Sequence, residues 1–95
     1  MPVQVTINGN LAVVTVDNPP VNALSQAVRQ GLWDMVDRLD QDANVKAVVL
    51  HCAGRIFIAG ADVSEFGKPP LEPHLPDVIL KLESARKPWV AAIHG

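Results

Sequence analysis

The chain has 95 residues, of which 48% are hydrophobic and 19% are charged, and its formal net charge is −2. That length allows one small domain with one modest core. The slight negative charge gives no electrostatic basis for binding nucleic acid or an anionic membrane surface. No apolar run approaches the length of a membrane span, and the first residues do not resemble a secretory signal. Cys52 is the single cysteine, which excludes an internal disulfide and fits a reducing compartment.

Two strands joined by a tight turn are predicted at the start of the chain. Val3, Val5 and Ile7 alternate with polar residues, which is the period of a half-buried strand. The run Asn8-Gly9-Asn10 is a hairpin turn signal. Residues 11–16 are apolar on both faces, which indicates a second strand inside a sheet.

A helix is predicted after the prolines that end the second strand, with Ser25 as its N-cap. Most charged residues of this stretch, Arg29 among them, fall on the side away from the apolar stripe. Gly31 lies mid-helix, where glycine costs about 1 kcal/mol relative to alanine, and a closely packed neighbour would explain it. The apolar residues that recur at helical spacing are Val28, Leu32, Met35, Val36 and Leu39.

The remaining elements complete the order β-β-α-β-β-α-β, which is typical of an α/β layered protein. Residues 45–51 form an apolar strand, so strand, helix and strand make a right-handed crossover. A strand at residues 56–58 runs into a turn, and the proline-rich residues 67–76 form an exposed loop. A second helix, capped by Asp77, and a strand at residues 89–93 follow. The apolar side of that helix carries Val78, Ile79, Leu82 and Ala85.

Small residues at the turn Ala59-Gly60-Ala61-Asp62 are the best candidate for chemistry. They let a ligand lie against the backbone, and the unpaired N–H groups of a helix N-terminus face outward with the helix dipole behind them. The functional interpretation is that the Ala61 N–H faces a ligand oxygen that becomes anionic during a reaction. The alternative is an ordinary strand-to-helix turn in which Asp62 only complements the helix dipole.

Other candidate groups have a simpler explanation on the sequence alone. Asp62 and Glu65 lie three apart, so they form either an acid–base pair or two solvated first-turn acids. Cys52 follows a buried strand and is interpreted as a packed apolar residue. The three histidines, His51, His74 and His94, lack metal-ligand spacing. The cations that could meet ligand phosphates, or simply lie on the surface, are Arg55, Lys68, Arg86 and Lys87.

Five motifs, in order along nearly the whole chain, resemble the start of an enoyl-CoA hydratase/isomerase (crotonase) domain. They are Asn-Pro-Pro-Val-Asn-Ala-Leu, an amphipathic helix, Val-Lys-Ala-Val-Val-Leu, Ile-Ala-Gly-Ala-Asp-Val and Lys-Pro-Trp-Val-Ala-Ala-Ile-His-Gly. The first motif and Phe-Gly-Lys-Pro-Pro further resemble the hydratase part of bifunctional fatty-acid-oxidation enzymes, in which a 3-hydroxyacyl-CoA dehydrogenase follows. The resemblance implies the ββα units of a crotonase-like α/β fold, with residues 1–95 as the N-terminal portion of the domain.

The resemblance also implies a ligand, an acyl-CoA thioester, which is a substrate, and no cofactor or metal. Ala61 then supplies one of the two backbone N–H groups that polarise the thioester carbonyl. Losing such a donor typically costs about 3 kcal/mol of transition-state stabilisation. The positions that the resemblance places along the substrate are Pro20, Val21, Ala59, Gly60, Asp62, Val63 and Ser64.

The family's second oxyanion donor and its two catalytic glutamates lie beyond the positions that match Ile93-His94-Gly95. The expectation is therefore an N-terminal fragment or truncated product that is inactive by itself. The parent would be an enoyl-CoA hydratase of fatty acid β-oxidation; an isomerase or another crotonase-type reaction, or a non-catalytic module, stays open. The expected setting is a homo-oligomer or a longer multidomain chain, in the bacterial cytoplasm or in a eukaryotic peroxisome or mitochondrial matrix.

Overall fold

Four strands and two helices make up the computed structural model, which describes residues 3–18, 23–53 and 71–92. The elements in chain order are β1 (Val3–Asn8), β2 (Leu11–Val16), α1 (Gln26–Asp40), β3 (Ala47–Cys52), α2 (Leu75–Glu83) and β4 (Trp89–Ala91). The strands form one sheet in the order β1-β2-β3-β4. The predicted α/β class is therefore confirmed, while the strand expected at residues 56–58 lies outside the described residues.

The first two strands form the predicted hairpin. They pair antiparallel, with Asn8 opposite Leu11, so Gly9 and Asn10 are the two-residue loop. Gly9 has a φ of 62°, a conformation that glycine adopts without steric cost and that favours tight hairpin turns. β2 lies inside the sheet, as its apolar character predicted, because it pairs with β1 on one side and β3 on the other.

The crossover from β2 to β3 passes through α1, and the two strands pair in parallel. The helix begins where the sequence predicted, since the Ser25 hydroxyl accepts a hydrogen bond of 3.3 Å from the Val28 N–H. This bond satisfies one of the helix's unpaired first-turn donors. α1 covers one face of the sheet. Because side chains alternate across a strand, every second residue of each strand lies on that face. The buried residues contributed by this face and by the helix are Val3, Ala12, Val14, Val16, Val48, Cys52, Val28, Leu32, Val36 and Leu39.

Gly31 is explained by the close approach of β1 to the helix. A Cβ atom placed on Gly31 would lie 2.7 Å from Val3 Cγ2 and 2.8 Å from Val3 Cβ. Van der Waals contact between carbon atoms needs roughly 3.5–4 Å. The close-packing explanation suggested by the sequence is therefore confirmed, and the packed neighbour is the first described residue of β1.

The second helix begins earlier than the sequence predicted. His74 is its N-cap and Asp77 lies in the first turn, so the prediction that Asp77 caps the helix is wrong. Pro76 belongs to that first turn, where a missing N–H costs nothing, and not to the predicted exposed loop. The buried face is centred on Val78, while Ile79 is 47% exposed, so Ile79 does not lie on the apolar side as predicted.

One charged residue also departs from the sequence prediction. Arg29 was expected on the polar side of α1, yet it is only 7% exposed. Across residues 3–18, 23–53 and 71–92, neither helix has the length and apolarity that crossing a bilayer requires.

Candidate ligand-binding edge of the sheet

Three parallel strands bring the chain to the same edge of the sheet. Val16 pairs with Cys52 at the ends of β2 and β3, and the Ala53 N–H donates to the Val16 carbonyl at 2.8 Å. Beside them, the Ala92 N–H donates to the Leu50 carbonyl at 2.9 Å. The carboxyl ends of β2, β3 and β4 therefore share one edge, which we call the carboxyl edge. In α/β sheets ligands bind beyond this edge, at the loops that leave it.

The chain continues from the carboxyl edge into the stretches where the sequence predicts the ligand contacts. β2 leads through Asn18 to residues 19–22, β3 leads through Ala53 to residues 54–70, and β4 leads through Ala92 to residues 93–95. All three stretches lie outside the described residues. The predicted oxyanion donor and substrate contacts within them are Ala61, Pro20, Val21, Ala59, Gly60, Asp62, Val63 and Ser64; Arg55, Glu65, Lys68 and His94 also lie there.

Asn18 closes the connection between β2 and α1. Its side-chain amide nitrogen donates to the Ala23 carbonyl at 2.8 Å and lies 3.5 Å from the Ser25 hydroxyl. Asparagine readily makes such bonds to nearby backbone and so stabilises turns. One side chain therefore links the end of β2 to the capping residue of α1.

Arg29 joins two distant parts of the chain at the start of α1. Its Nη1 donates to the Leu24 carbonyl at 2.7 Å, its Nε to the Pro73 carbonyl at 2.8 Å, and its Nη2 to the Leu71 carbonyl at 3.2 Å. Gln26 adds a bond of 2.8 Å from its amide nitrogen to the Glu72 carbonyl. Two side chains from one turn of α1 thus hold three consecutive carbonyls, those of residues 71–73.

The other sequence candidates lie elsewhere or have structural partners. Cys52 is fully buried, which confirms its interpretation as a packed residue. Arg86 and Lys87 precede β4 at the opposite edge, where the Arg86 N–H donates to the Asp40 carboxylate and Lys87 Nζ to the Asp42 carbonyl. Both residues therefore lie at the end of the sheet opposite the carboxyl edge. Within the part of the chain that the structure describes, no three His, Cys, Asp or Glu side chains come together as metal ligands.

Sequence reasoning missed the structural roles of Asn18 and Arg29. Asn18 directly precedes the prolines that end the second strand, and nothing in one sequence distinguishes a turn asparagine from a bridging one. Arg29 follows the first buried residue of α1, at the border of the apolar stripe. An arginine at that border is the one signal that could have suggested burial, because its long apolar stem suits such a position.

Solved structures with this fold identify the structural class. The crystal structure of enoyl-CoA hydratase from Mycobacterium smegmatis superposes with a TM-score of 0.85 at 28% identity, over 100% of this chain and 40% of that one. An enoyl-CoA hydratase from Bacillus anthracis superposes with a TM-score of 0.89 at 24% identity and supports the fold alone. The chain therefore has the crotonase fold.

Sequence comparison assigns the family. Residues 6–95 match the model of the enoyl-CoA hydratase/isomerase family, and the chain belongs to that family. In an alignment 100 residues long, the chain is 35% identical to a probable enoyl-CoA hydratase of Bacillus subtilis. In an alignment 89 residues long, it is 40% identical to the peroxisomal bifunctional enzyme of Danio rerio. The chain spans 39% of the first relative's length and 12% of the second's.

Proposed function

We propose that this chain is the acyl-CoA thioester-binding portion of an enoyl-CoA hydratase acting in fatty acid β-oxidation. The observation that carries the proposal is the shared carboxyl edge, from which the chain enters both stretches that the family resemblance aligns with the substrate. Membership of the enoyl-CoA hydratase/isomerase family supplies the reaction class. The relatives' names supply the hydratase activity and the β-oxidation setting, the latter through the Oryza sativa peroxisomal fatty acid beta-oxidation multifunctional protein.

The proposed chemistry rests on one backbone donor. The Ala61 N–H donates to the thioester carbonyl oxygen, and the bond strengthens as that oxygen gains negative charge in the enolate-like transition state. Gly60 and the alanines beside it leave room for the thioester to approach the backbone. Asp62, Val63 and Ser64 follow along the CoA moiety, together with Pro20 and Val21 from the connection after β2.

The 95-residue chain by itself binds the thioester without turning it over. In the family resemblance, the second oxyanion donor and the two glutamates that add water across the double bond align beyond the chain's last residue. The whole protein is proposed to work as a homo-oligomer or as one part of a longer multidomain chain. The likeness to a peroxisomal bifunctional enzyme favours the second arrangement.

Calorimetric titration of acetyl-CoA and of free CoA into the chain tests this proposal. Ala61→Pro removes the N–H, whereas Ala61→Gly keeps it and is the matched control. Because a hydrogen bond contributes about 1 kcal/mol net, Ala61→Pro should weaken acetyl-CoA binding by about fivefold, and the affinity for free CoA should change little. Ala61→Gly should bind like the parent chain.

Two results would contradict the proposal. Failure of the parent chain to bind acetyl-CoA would exclude the thioester-binding role and favour a non-catalytic module. Turnover of crotonyl-CoA by the purified 95-residue chain would show that the catalytic acids are present after all.

A further inference from the structure

Arg29 is a buried cation that contacts backbone carbonyls on two sides. It is 7% exposed, and its guanidinium carries a positive charge. Taking such a group out of water is unfavourable unless its N–H groups are well satisfied. Here its nitrogens donate to the Leu24, Leu71 and Pro73 carbonyls at 2.7–3.2 Å.

Stability alone does not explain why an arginine occupies this position. Well-packed apolar residues at buried ionic sites are often as stabilising as the ions, or more so. A guanidinium differs in having five donors in a rigid planar fork, which accepts partners only in fixed directions. The side chain therefore selects one arrangement of the carbonyls around it.

The carbonyls that it selects are close in sequence to the two stretches of the candidate site, residues 19–22 and 54–70. Leu24 lies two residues beyond the connection 19–22, whose other end is held by Asn18. Residues 71–73 directly follow residues 54–70 and lead into α2. Gln26 donates to the Glu72 carbonyl between the two that Arg29 holds at residues 71 and 73.

We propose that Arg29, assisted by Gln26, is a positioning residue for acyl-CoA binding, because it fixes Leu24 and residues 71–73 relative to each other. This inference rests on the proposed function. The groups that Arg29 holds at Leu24, Leu71 and Pro73 are backbone carbonyls, so through them its effect on the ligand passes by way of the geometry of the two chain segments. A displacement of such segments by about an ångström is enough to change substantially how a ligand is bound and oriented.

Three variants of the full chain test the role. Arg29→Met keeps an unbranched stem and removes every donor, and Arg29→Lys keeps the charge but offers a single nitrogen. Arg38→Met is the matched control, because Arg38 is an exposed arginine in the last turn of the same helix. All are compared well below their melting temperatures, after circular dichroism confirms that each is folded.

Two readouts separate positioning from general stability. Hydrogen exchange without ligand should accelerate in peptides covering residues 23–25 and 71–78 in both Arg29 variants and not in Arg38→Met. Acetyl-CoA affinity, measured by calorimetry, should fall by about tenfold or more in Arg29→Met. Arg29→Lys should not restore it, because one ammonium cannot replace the fork.

The outcomes distinguish the two proposals. Unchanged exchange in the Arg29 variants, or accelerated exchange with unchanged affinity, would overturn the positioning role. Full rescue by Arg29→Lys would overturn it as well, since charge alone would then suffice. A parent chain that ignores acetyl-CoA would overturn the proposed function, and with it the role of Arg29 in binding. If Arg29→Met does not fold, Gln26→Ala should give the same exchange pattern at residues 71–73 and a smaller loss of affinity, and an unchanged pattern there would contradict the proposal.

Discussion

Different forces hold two parts of the molecule in place. The first comprises β1, β2, α1 and β3, and we call it the hairpin–helix unit. Its helix buries four apolar residues against the sheet. The second comprises residues 71–92, and we call it the α2–β4 unit. Val78 alone is buried among these described residues, and the large apolar residues that the unit exposes are Leu71, Ile79, Leu80 and Val90.

Directional polar contacts fasten the α2–β4 unit to α1. Lys81 Nζ lies 2.6 Å from an Asp37 carboxylate oxygen and 4.3 Å from the centre of the Trp33 ring. The Arg86 N–H donates to the Asp40 carboxylate, with both distances at 3.1 Å. Apolar burial is non-directional, whereas these contacts and those of Arg29 specify one position. The comparison teaches that the hairpin–helix unit supplies most of the buried apolar core. The α2–β4 unit is placed by specific bonds together with the packing of Val78, Leu82 and Trp89 against that core.

The largest expected effect comes from the core of the hairpin–helix unit. Leu32 is 2% exposed in α1, and Leu80 is 62% exposed in α2. Leu32→Ala should lower the free energy of unfolding by about 2–5 kcal/mol, through lost burial and a cavity. Leu80→Ala is the matched control and should change it by no more than about 0.5 kcal/mol. Urea denaturation followed by circular dichroism measures both, and equal losses would refute the contrast between the two units.

A smaller effect is expected at the polar junction of the two helices. Lys81→Met removes the charge that meets Asp37 and the Trp33 ring while keeping most of the stem. Because the lysine side chain is 20% exposed and its partner carboxylate 54% exposed, the loss should be about 1 kcal/mol. Lys46→Met, at an exposed position before β3, is the control.

Salt dependence sharpens this prediction. Surface charge interactions weaken as ionic strength rises, so the difference between the Lys81→Met variant and the parent chain should shrink in high salt. Denaturation curves at low and high salt concentration measure it. If Lys81→Met and Lys46→Met have equal stability at low salt, the junction does not depend on this contact.

Sequence patterns were sufficient to predict the elements of the hairpin–helix unit, because the residues that form each pattern lie close together in the chain. The Asn8-Gly9-Asn10 turn signal and strand alternation fix the hairpin, and the helical spacing with Ser25 fixes α1. Each pattern reports burial against one neighbouring layer. The helical pattern wrongly predicted that Arg29 lies on the solvent side of α1. A charged residue on a helix is assigned to solvent unless its distant carbonyl partners are known.

The α2–β4 unit was predicted less well for a physical reason. Asp77 is a common capping residue type and histidine is not, so the capping rule selects Asp77, although Pro76 is compatible with a first helical turn. With the helix begun too late, Ile79 was placed on the apolar side, whereas the face centres on Val78. The candidate site depends on contacts between segments over 40 residues apart, such as Arg29 to Pro73, and no local pattern encodes them.

The carboxyl edge as the acyl-CoA site is the central claim, and amide chemical shifts test it most directly. Acetyl-CoA is titrated into the ¹⁵N-labelled chain. Perturbations should cluster at Asn18, Ala53 and Ala92, which leave the carboxyl edge, and at the neighbouring predicted contacts. Amides entering the opposite edge, those of Asn10, Lys46 and Lys87, should stay unperturbed. Perturbations confined to that opposite edge, or none at saturating ligand, would contradict the account.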